Sequence, residues 1–488
     1  MRVATRLFYT ALMVNLLGQP QTSLAQARQA QDHVAQHPTE QWQTLGLGGH
    51  KMGYRHILRH PSENQLLTRE TLVLTVSQPG APNATSTTVL EYRESSTGQP
   101  LAITKRVTSA TANHQMQATV DEQILVVSQL NSTNSPRKHA IPQPFYLPEG
   151  LRLALLGKTE HDSPFNYFSW NFSSQKFDHL QLQIQPYNSP DHPEARWQIR
   201  RHQLGDTKRS TLIVADQYFY FTEERSTSGG DEVIISDCSQ TCAQADFEPA
   251  THVYRQLIAS PYKITDTALR GKIRYRLQGL STPPPSTFEQ TVKPLTDGVE
   301  ILVCDDCGAE APPAPETLAV ALQANYWLPS SEPVFKTVVD DILADKDITT
   351  AARMRRLSRF VSRHMNSEAS YSGYATALEA YNSKQGDCTE HALLLATLAR
   401  AAGIPSRVAF GMAYNNERFL GRKYVFVPHA WVQAWTGNRW QSFDSGLGKF
   451  TAGHITLGVS NGEQSEVLKL NEQLHQIKII SAVQIKSR

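Results

Sequence analysis

The run QGDCTEHALLLATLARAAGIPSR, residues 385 to 407, decides the reading of this chain. Asp387 is a favoured N-cap and Glu390 follows three residues later, a pairing that satisfies first-turn amides through a capping box. Cys388 is then the first helical residue. Leu394, Leu395, Leu398 and Ala402 recur at helical spacing and predict one apolar face, and Gly403 followed by Pro405 supplies a left-handed cap and a stop. The pattern predicts a buried helix about four turns long. A thiol at its N-terminus sits in the positive end of the macrodipole, which favours the nucleophilic thiolate. The plainer reading of Cys388 is a small, inert core thiol, and the helix alone leaves both open.

Length and composition bound the rest. A chain of 488 residues exceeds one ordinary core, so two or three domains are expected. The apolar fraction of 40% and charged fraction of 19% are those of a globular protein, and a net charge of +2 argues against a strongly basic nucleic-acid binder. No nucleic-acid partner is expected. Arg2 and Arg6 precede an apolar run over residues 7–17, and small residues near Ala25 and Ala27 offer a cleavage site, so residues 1–27 read as a signal peptide and the protein as periplasmic or secreted. Thr10 and Asn15 interrupt that run, which is too short to span a bilayer of roughly 30 Å, and no later segment approaches a membrane helix. No integral membrane segment is expected after the signal is removed.

Four of the five cysteines form two close pairs, Cys238 with Cys242 and Cys304 with Cys307. In an exported chain an even set is normally oxidised, which makes disulfides the first expectation. The spacings also approach those of metal knuckles, so Cys238, Cys242, Cys304 and Cys307 as four zinc ligands is the weaker alternative. Cys388 is the odd one left over.

Residues 28–45 are polar, rich in Gln and His, and read as a flexible leader. From residue 46 short β-like runs separated by turn residues take over, at 70–76, 87–92, 101–107, 123–127, 180–184, 195–200, 210–214, 232–236 and 272–277. They predict a β-rich region over 46–310, as one unit or two. Residues 146–156 fit a short helix or a loop within it. The proline stretch at 311–315 marks a boundary, beyond which 317–325, 334–344, 349–365 and 371–381 show helical spacing. Residues 311–488 are the second region.

A cysteine nucleophile needs a base and a group that orients the base. Residues 407–414 and 424–435 read as strands, and Gly437-Asn438 as the two-residue loop of a hairpin leading into Trp440-Gln441-Ser442-Phe443-Asp444. That loop sets Trp435 opposite Trp440 and Trp431 opposite Asp444. Alternation then puts His429 and Asp444 on one face as diagonal neighbours, roughly 7 Å apart between Cα atoms. A loop one residue longer would send Asp444 to the other face. The register predicts a hydrogen bond between the two, with Cys388 at a helix tip against them. His391, one turn after Cys388, is a competing base or a metal partner for the thiol, or else a supporting or substrate contact.

GDC followed by TEHA, then LARAAGIPSR, PHAWV and WQSFD, resembles the transglutaminase-like cysteine superfamily, over residues 385–446. Weaker similarity to exported bacterial members with a β-rich N-terminal region runs through GGHKMGY at 48–54, SPY at 260–262 and HITL at 454–457. The resemblance implies an α+β, papain-like fold, with the cysteine helix packed on an antiparallel sheet. It implies Cys388 as nucleophile, His429 as base and Asp444 as orienting acid. The implied chemistry is acyl transfer through a thioester on a peptide, protein or small amide substrate, with hydrolysis ahead of glutamine–amine cross-linking. No cofactor is implied, and no calcium loop is present in the sequence. The Cys388 amide is a natural oxyanion donor, with Gln385, Tyr371 and Tyr374 as candidates for the second. The competing reading is a non-catalytic binding or structural module with a residual triad.

Overall fold

A computed structural model describes residues 39–77, 83–109, 113–129, 135–228, 230–249, 257–344, 348–366, 374–416, 422–464, 466–467 and 473–485. The expected signal peptide lies outside these residues. The chain is sheet-rich, with a large β region first and a mixed region of helices and strands after it.

Fourteen strands between Glu40–Leu47 and Asp231–Asp237 form one antiparallel sheet. Two meanders make it up, joined where Glu40–Leu47 pairs with Asp231–Asp237. The first strand begins at Glu40, so the end of the expected leader is strand: Gln43, Thr44 and Leu45 pair on both sides, which polar composition alone does not reveal. The edge segments approach one another through a bridge between Phe145 and Phe168, which limits the unpaired edge. Residues Pro148–Leu155 form a helix with proline at its first turn, where the missing N–H costs nothing.

The second half is built around a five-stranded sheet. Its central strand Ser406–Asn415 pairs with Val425–Trp435 on one side and His454–Ser460 on the other. Val425–Trp435 is joined on its far edge by Ile258–Ala259 at one end and by Trp440–Phe443 at the other. Val408, Phe410, Ala430, Val432 and Ala434 pack in one core with the leucines of the helix Cys388–Ala401. Met412, Tyr414, Phe426 and Ile455 pack in another with a four-stranded sheet, in which Lys272–Gln278 and Gly298–Val303 are joined by Gln290–Leu295 and Lys478–Ile485. The first of these cores also takes in Ile103, Met116, Leu125 and Trp170 of the large sheet, and His114 there meets Glu379 at 2.9 Å.

The helical readings hold with shifted ends. Pro315–Val320, Pro333–Ile342 and Thr350–His364 are helices, and the fourth runs Ala377–Ser383, starting later than its periodicity suggests because Thr376 and Glu379 form its capping box.

Candidate active site

Asp387 begins the cysteine helix as its sequence predicts. Its Oδ1 accepts the Thr389 amide at 2.8 Å, and Glu390 Oε2 accepts the Asp387 amide at 2.9 Å. Gly386 has φ of +149°, and a Cβ there would stand 2.4 Å from that of Glu390, so only glycine lets the box close. Every residue from Glu390 to Arg400 is buried, so the helix lies inside the fold rather than showing one apolar stripe. Cys388 is half-buried at the tip.

The hairpin has the register of a two-residue turn: Trp435 pairs with Trp440, and Val432 with Phe443. His429 Nε2 donates to Asp444 Oδ2 at 2.8 Å, and both residues are buried. Because the carboxylate only accepts, Nε2 carries a proton and Nδ1 is the nitrogen not engaged by Asp444. Cys388 lies beside His429, each shifting the other's protonation, and its thiol donates to the Pro428 carbonyl at 4.0 Å. The structure therefore brings Cys388, His429 and Asp444 together, in the order thiol, imidazole, carboxylate.

Electrostatics refine the expectation for the thiol. Burial, and then the Asp387 carboxylate, push Cys388 up, while His429 pulls it back only in part. The residue that caps the helix also sets a negative charge beside the sulfur, so the helix N-terminus by itself does not produce a thiolate. Activation falls to the imidazole. For His429 burial alone would lower the pKa, and the Asp444 charge and hydrogen bond, with Cys388 adding, raise it well above the ordinary range. Burial works against ionised Asp444 too, yet His429 and His454 hold its carboxyl far below the usual carboxylate range. The protonation of Cys388 and that of His429 depend on one another as a pair.

Asp444 has more partners than the sequence suggested. Oδ1 accepts the amides of Gly446 and Leu447 at 2.8 and 3.0 Å, and Oδ2 accepts a second imidazole, His454 Nε2, at 2.9 Å. His454 was legible only as part of the HITL similarity; a histidine opening an apolar strand is the signal that marks it as buried and bonded. Trp431 stacks beside His429 at 6.0 Å between centroids and donates to Ser442 Oγ, which in turn bonds the buried Glu289.

Of the remaining candidates, His391 is buried, its Nδ1 has no partner, and burial lowers its pKa, which disfavours it as a charged rival to His429. Tyr374 donates its hydroxyl to the Gly462 carbonyl and is thereby engaged elsewhere. Gln385 is exposed, and Tyr371 lies outside the described residues. The zinc alternative fails on geometry. Cys304 and Cys307 are bonded to each other, Cys238 and Cys242 keep free thiols, and the four do not converge. Among the described residues one group has metal-like convergence, His429, Asp444 and His454. Its imidazole nitrogens already donate to the carboxylate, so it is a hydrogen-bonded set, and the proton on His454 Nε2 occupies the place of a lone pair. No helix among the described residues is long and apolar enough to cross a membrane.

Comparison with known proteins bears on this region. Residues 336–445 match the transglutaminase-like superfamily. An uncharacterized protein of Mycobacterium leprae is 30% identical over 87 residues, which are 18% of this chain and 31% of that protein. The chain thus spans about a third of the length of the curated relative it matches. Among solved structures, a β-barrel-like protein of a domain of unknown function from Brucella abortus is 12% identical, with 41% of this chain and 95% of that one covered and a TM-score of 0.33. The periplasmic domain of TgpA from Pseudomonas aeruginosa is 18% identical, with 45% and 78% covered and a TM-score of 0.27. Residues 336–445, which hold the cysteine helix, the central strands and Asp444, are a transglutaminase-like domain.

Proposed function

We propose that the protein is an exported cysteine acyl-transfer enzyme in which Cys388 is the nucleophile, His429 the base and acid, and Asp444 the group that orients His429. The observation that carries this reading is the buried chain from the Cys388 thiol through His429 to an Asp444 carboxylate whose four acceptances all come from N–H groups. In the first step the Cys388 thiolate attacks the carbonyl carbon of an amide and a C–S bond forms. His429 gives its proton to the departing amine as the C–N bond breaks. Water then attacks the thioester, His429 takes a proton from it, and the C–S bond breaks to release the acid and restore the thiolate beside a protonated His429. The Cys388 amide, at the first position of its helix, has no acceptor within the helix and suits an oxyanion.

Hydrolysis is favoured over cross-linking because water is always present and no acceptor-amine site is evident among the described residues. Export is supported by the N-terminal sequence. The strands within 258–303 pair and pack with those of the catalytic region, and we place them in the same unit.

The test is alkylation of Cys388 by iodoacetamide across pH, read by peptide mass. An activated Cys388 labels readily well below pH 8.5, the range of an ordinary thiol near ~8.5, and Cys388→Ala removes both this labelling and any amide cleavage found by profiling exported peptides. If Cys388 labels no faster than an unactivated thiol, the non-catalytic module becomes the better account.

A further inference from the structure

We infer that His454 is a positioning residue of this centre: it holds Asp444 Oδ2, the oxygen that His429 uses, and keeps the carboxylate fixed as an acceptor. This rests on the reading of Cys388, His429 and Asp444 given above, and adds a fourth residue to it.

The fold brings the two histidines together by register. His429 pairs with Gly411 and His454 with Ala413, on opposite sides of the strand Ser406–Asn415. Gly411 and Ala413 alternate onto the same face, so both imidazoles rise on that face with nothing larger than a methyl group between them. Their ring centroids are 5.7 Å apart, and Asp444 reaches both from the neighbouring hairpin.

His454 is held on both sides. Asp444 Oδ2 can only accept, so Nε2 carries the hydrogen that faces it, while the Thr451 amide at 3.1 Å and the Thr451 carbonyl at 3.2 Å both lie against Nδ1. Thr451 Oγ1, which accepts the Gly453 amide, lies 3.2 Å from the same nitrogen. Trp431 and Phe450 hold the ring plane at 5.2 and 5.0 Å. His454 is thus a donor to Asp444 with one orientation.

Asp444 shows why a donor is required there. Gly446 and Leu447 fix Oδ1, but without His454 the other oxygen would have His429 alone, in a site 1% exposed where water cannot substitute. A carboxylate short of a donor becomes a stronger base and a looser guide for the imidazole. The titratable groups facing the centre are Cys388, Asp387 and His391 from the helix, together with His429, Asp444 and His454 themselves.

The experiment measures Cys388 alkylation against pH in wild type, His454→Gln and His454→Phe. Glutamine offers an N–H where Nε2 stood and keeps the wild-type profile. Phenylalanine keeps the ring between Trp431 and Phe450 but donates nothing, and its labelling at pH 6 to 7 falls about tenfold or more. A packing role predicts the reverse order. If phenylalanine matches wild type, or glutamine falls as far as phenylalanine or further, the inference is overturned. If wild type itself labels as an ordinary thiol, the catalytic reading fails first, and the wild-type curve alone reveals it. Should His454→Phe not fold, ¹⁵N-histidine spectra of the wild type decide. A His454 proton on Nε2 is expected, and a bare Nε2 overturns the inference.

Discussion

Two buried charge clusters in this molecule look alike and differ in kind. In the large sheet Glu224 is bonded by Arg55 at 2.7 Å and Arg201 at 3.0 Å, and Arg55 also meets Gln43, which binds Asp237. In the candidate site Asp444 is bonded by two imidazoles and two amides. Both carboxylates are held ionised. The partners of Glu224 are guanidinium groups, which do not give up a proton in the working range of a protein, so that cluster can only hold the sheet together. The partners of Asp444 include an imidazole whose other nitrogen faces a thiol, and protons can move there. Burial of charge is common to both, and only the mobility of the proton separates a brace from a reactive centre.

The largest effect that sharpens this contrast comes from Asp444→Asn. Every neighbour of the Asp444 carboxyl is a donor, so an amide must turn its NH₂ against the imidazoles or against the Gly446 and Leu447 amides. In the first orientation His429 loses its acceptor, and in the second it faces an uncharged oxygen held in place less firmly. Labelling of Cys388 at pH 6 is expected to fall by about two to four orders of magnitude, the counterpart of about 3–5 kcal/mol for a broken buried charge pair. Labelling at the wild-type rate would mean that Asp444 is a structural brace like Glu224.

Glu224→Gln comes next and reads out in the opposite quantity. It strands two guanidinium groups, but Arg201 is 29% exposed and partly relieved by water, so we expect a loss of about 2–3 kcal/mol in urea unfolding at pH 7. Cys388 labelling should stay as in wild type. Burial resists ionisation of Glu224, but Arg55 and Arg201 override it and hold the pKa at about 2, below its ordinary 4.5. The stability it lends is therefore complete above 4.5 and drains away as pH falls toward 2, and the gap between variant and wild type must close over that window. A gap constant with pH would show that the charge is not what holds the sheet.

How far the sequence reveals these clusters follows from how local each signal is. The cysteine helix is written in contiguous residues: Asp387 and Glu390 set its start, Gly403 its end. The bond between His429 and Asp444 is legible because a two-residue turn fixes a register, and alternation then fixes a face. His454 joins them through a strand that pairs on the far side of Ser406–Asn415, and no local rule states that pairing. Glu224 and its arginines are further apart still, 169 residues between Arg55 and Glu224, and their alternation reads only as polar strand faces. The expected thiolate at the helix tip is the instructive difference. Capping and macrodipole are read correctly from Asp387, but the same side chain carries a charge that opposes the thiolate, and its weight depends on burial that a sequence does not display.

Glu289 supplies a third type of buried carboxyl, without a cation and without a base. It is 4% exposed, and it accepts the Ser442 amide and hydroxyl just behind the strand that ends at Asp444. Burial outweighs those hydrogen bonds and pushes its pKa from 4.5 up to about 7. The folded protein then keeps a proton that the unfolded chain releases, so stability falls as pH rises from 4.5 through about 7, by up to about 1.4 kcal/mol per pH unit. Glu289→Gln has nothing to ionise, and its amide can accept the Ser442 N–H while donating to the hydroxyl. Urea unfolding at pH 5, 6 and 7 should show the wild type losing stability and the variant staying level. Parallel curves would mean that Glu289 is ionised throughout and that Arg439, the nearest cation acting on it, balances it after all. In that case it would join Glu224 as a brace, and proton mobility in this region would be confined to the residues around Cys388.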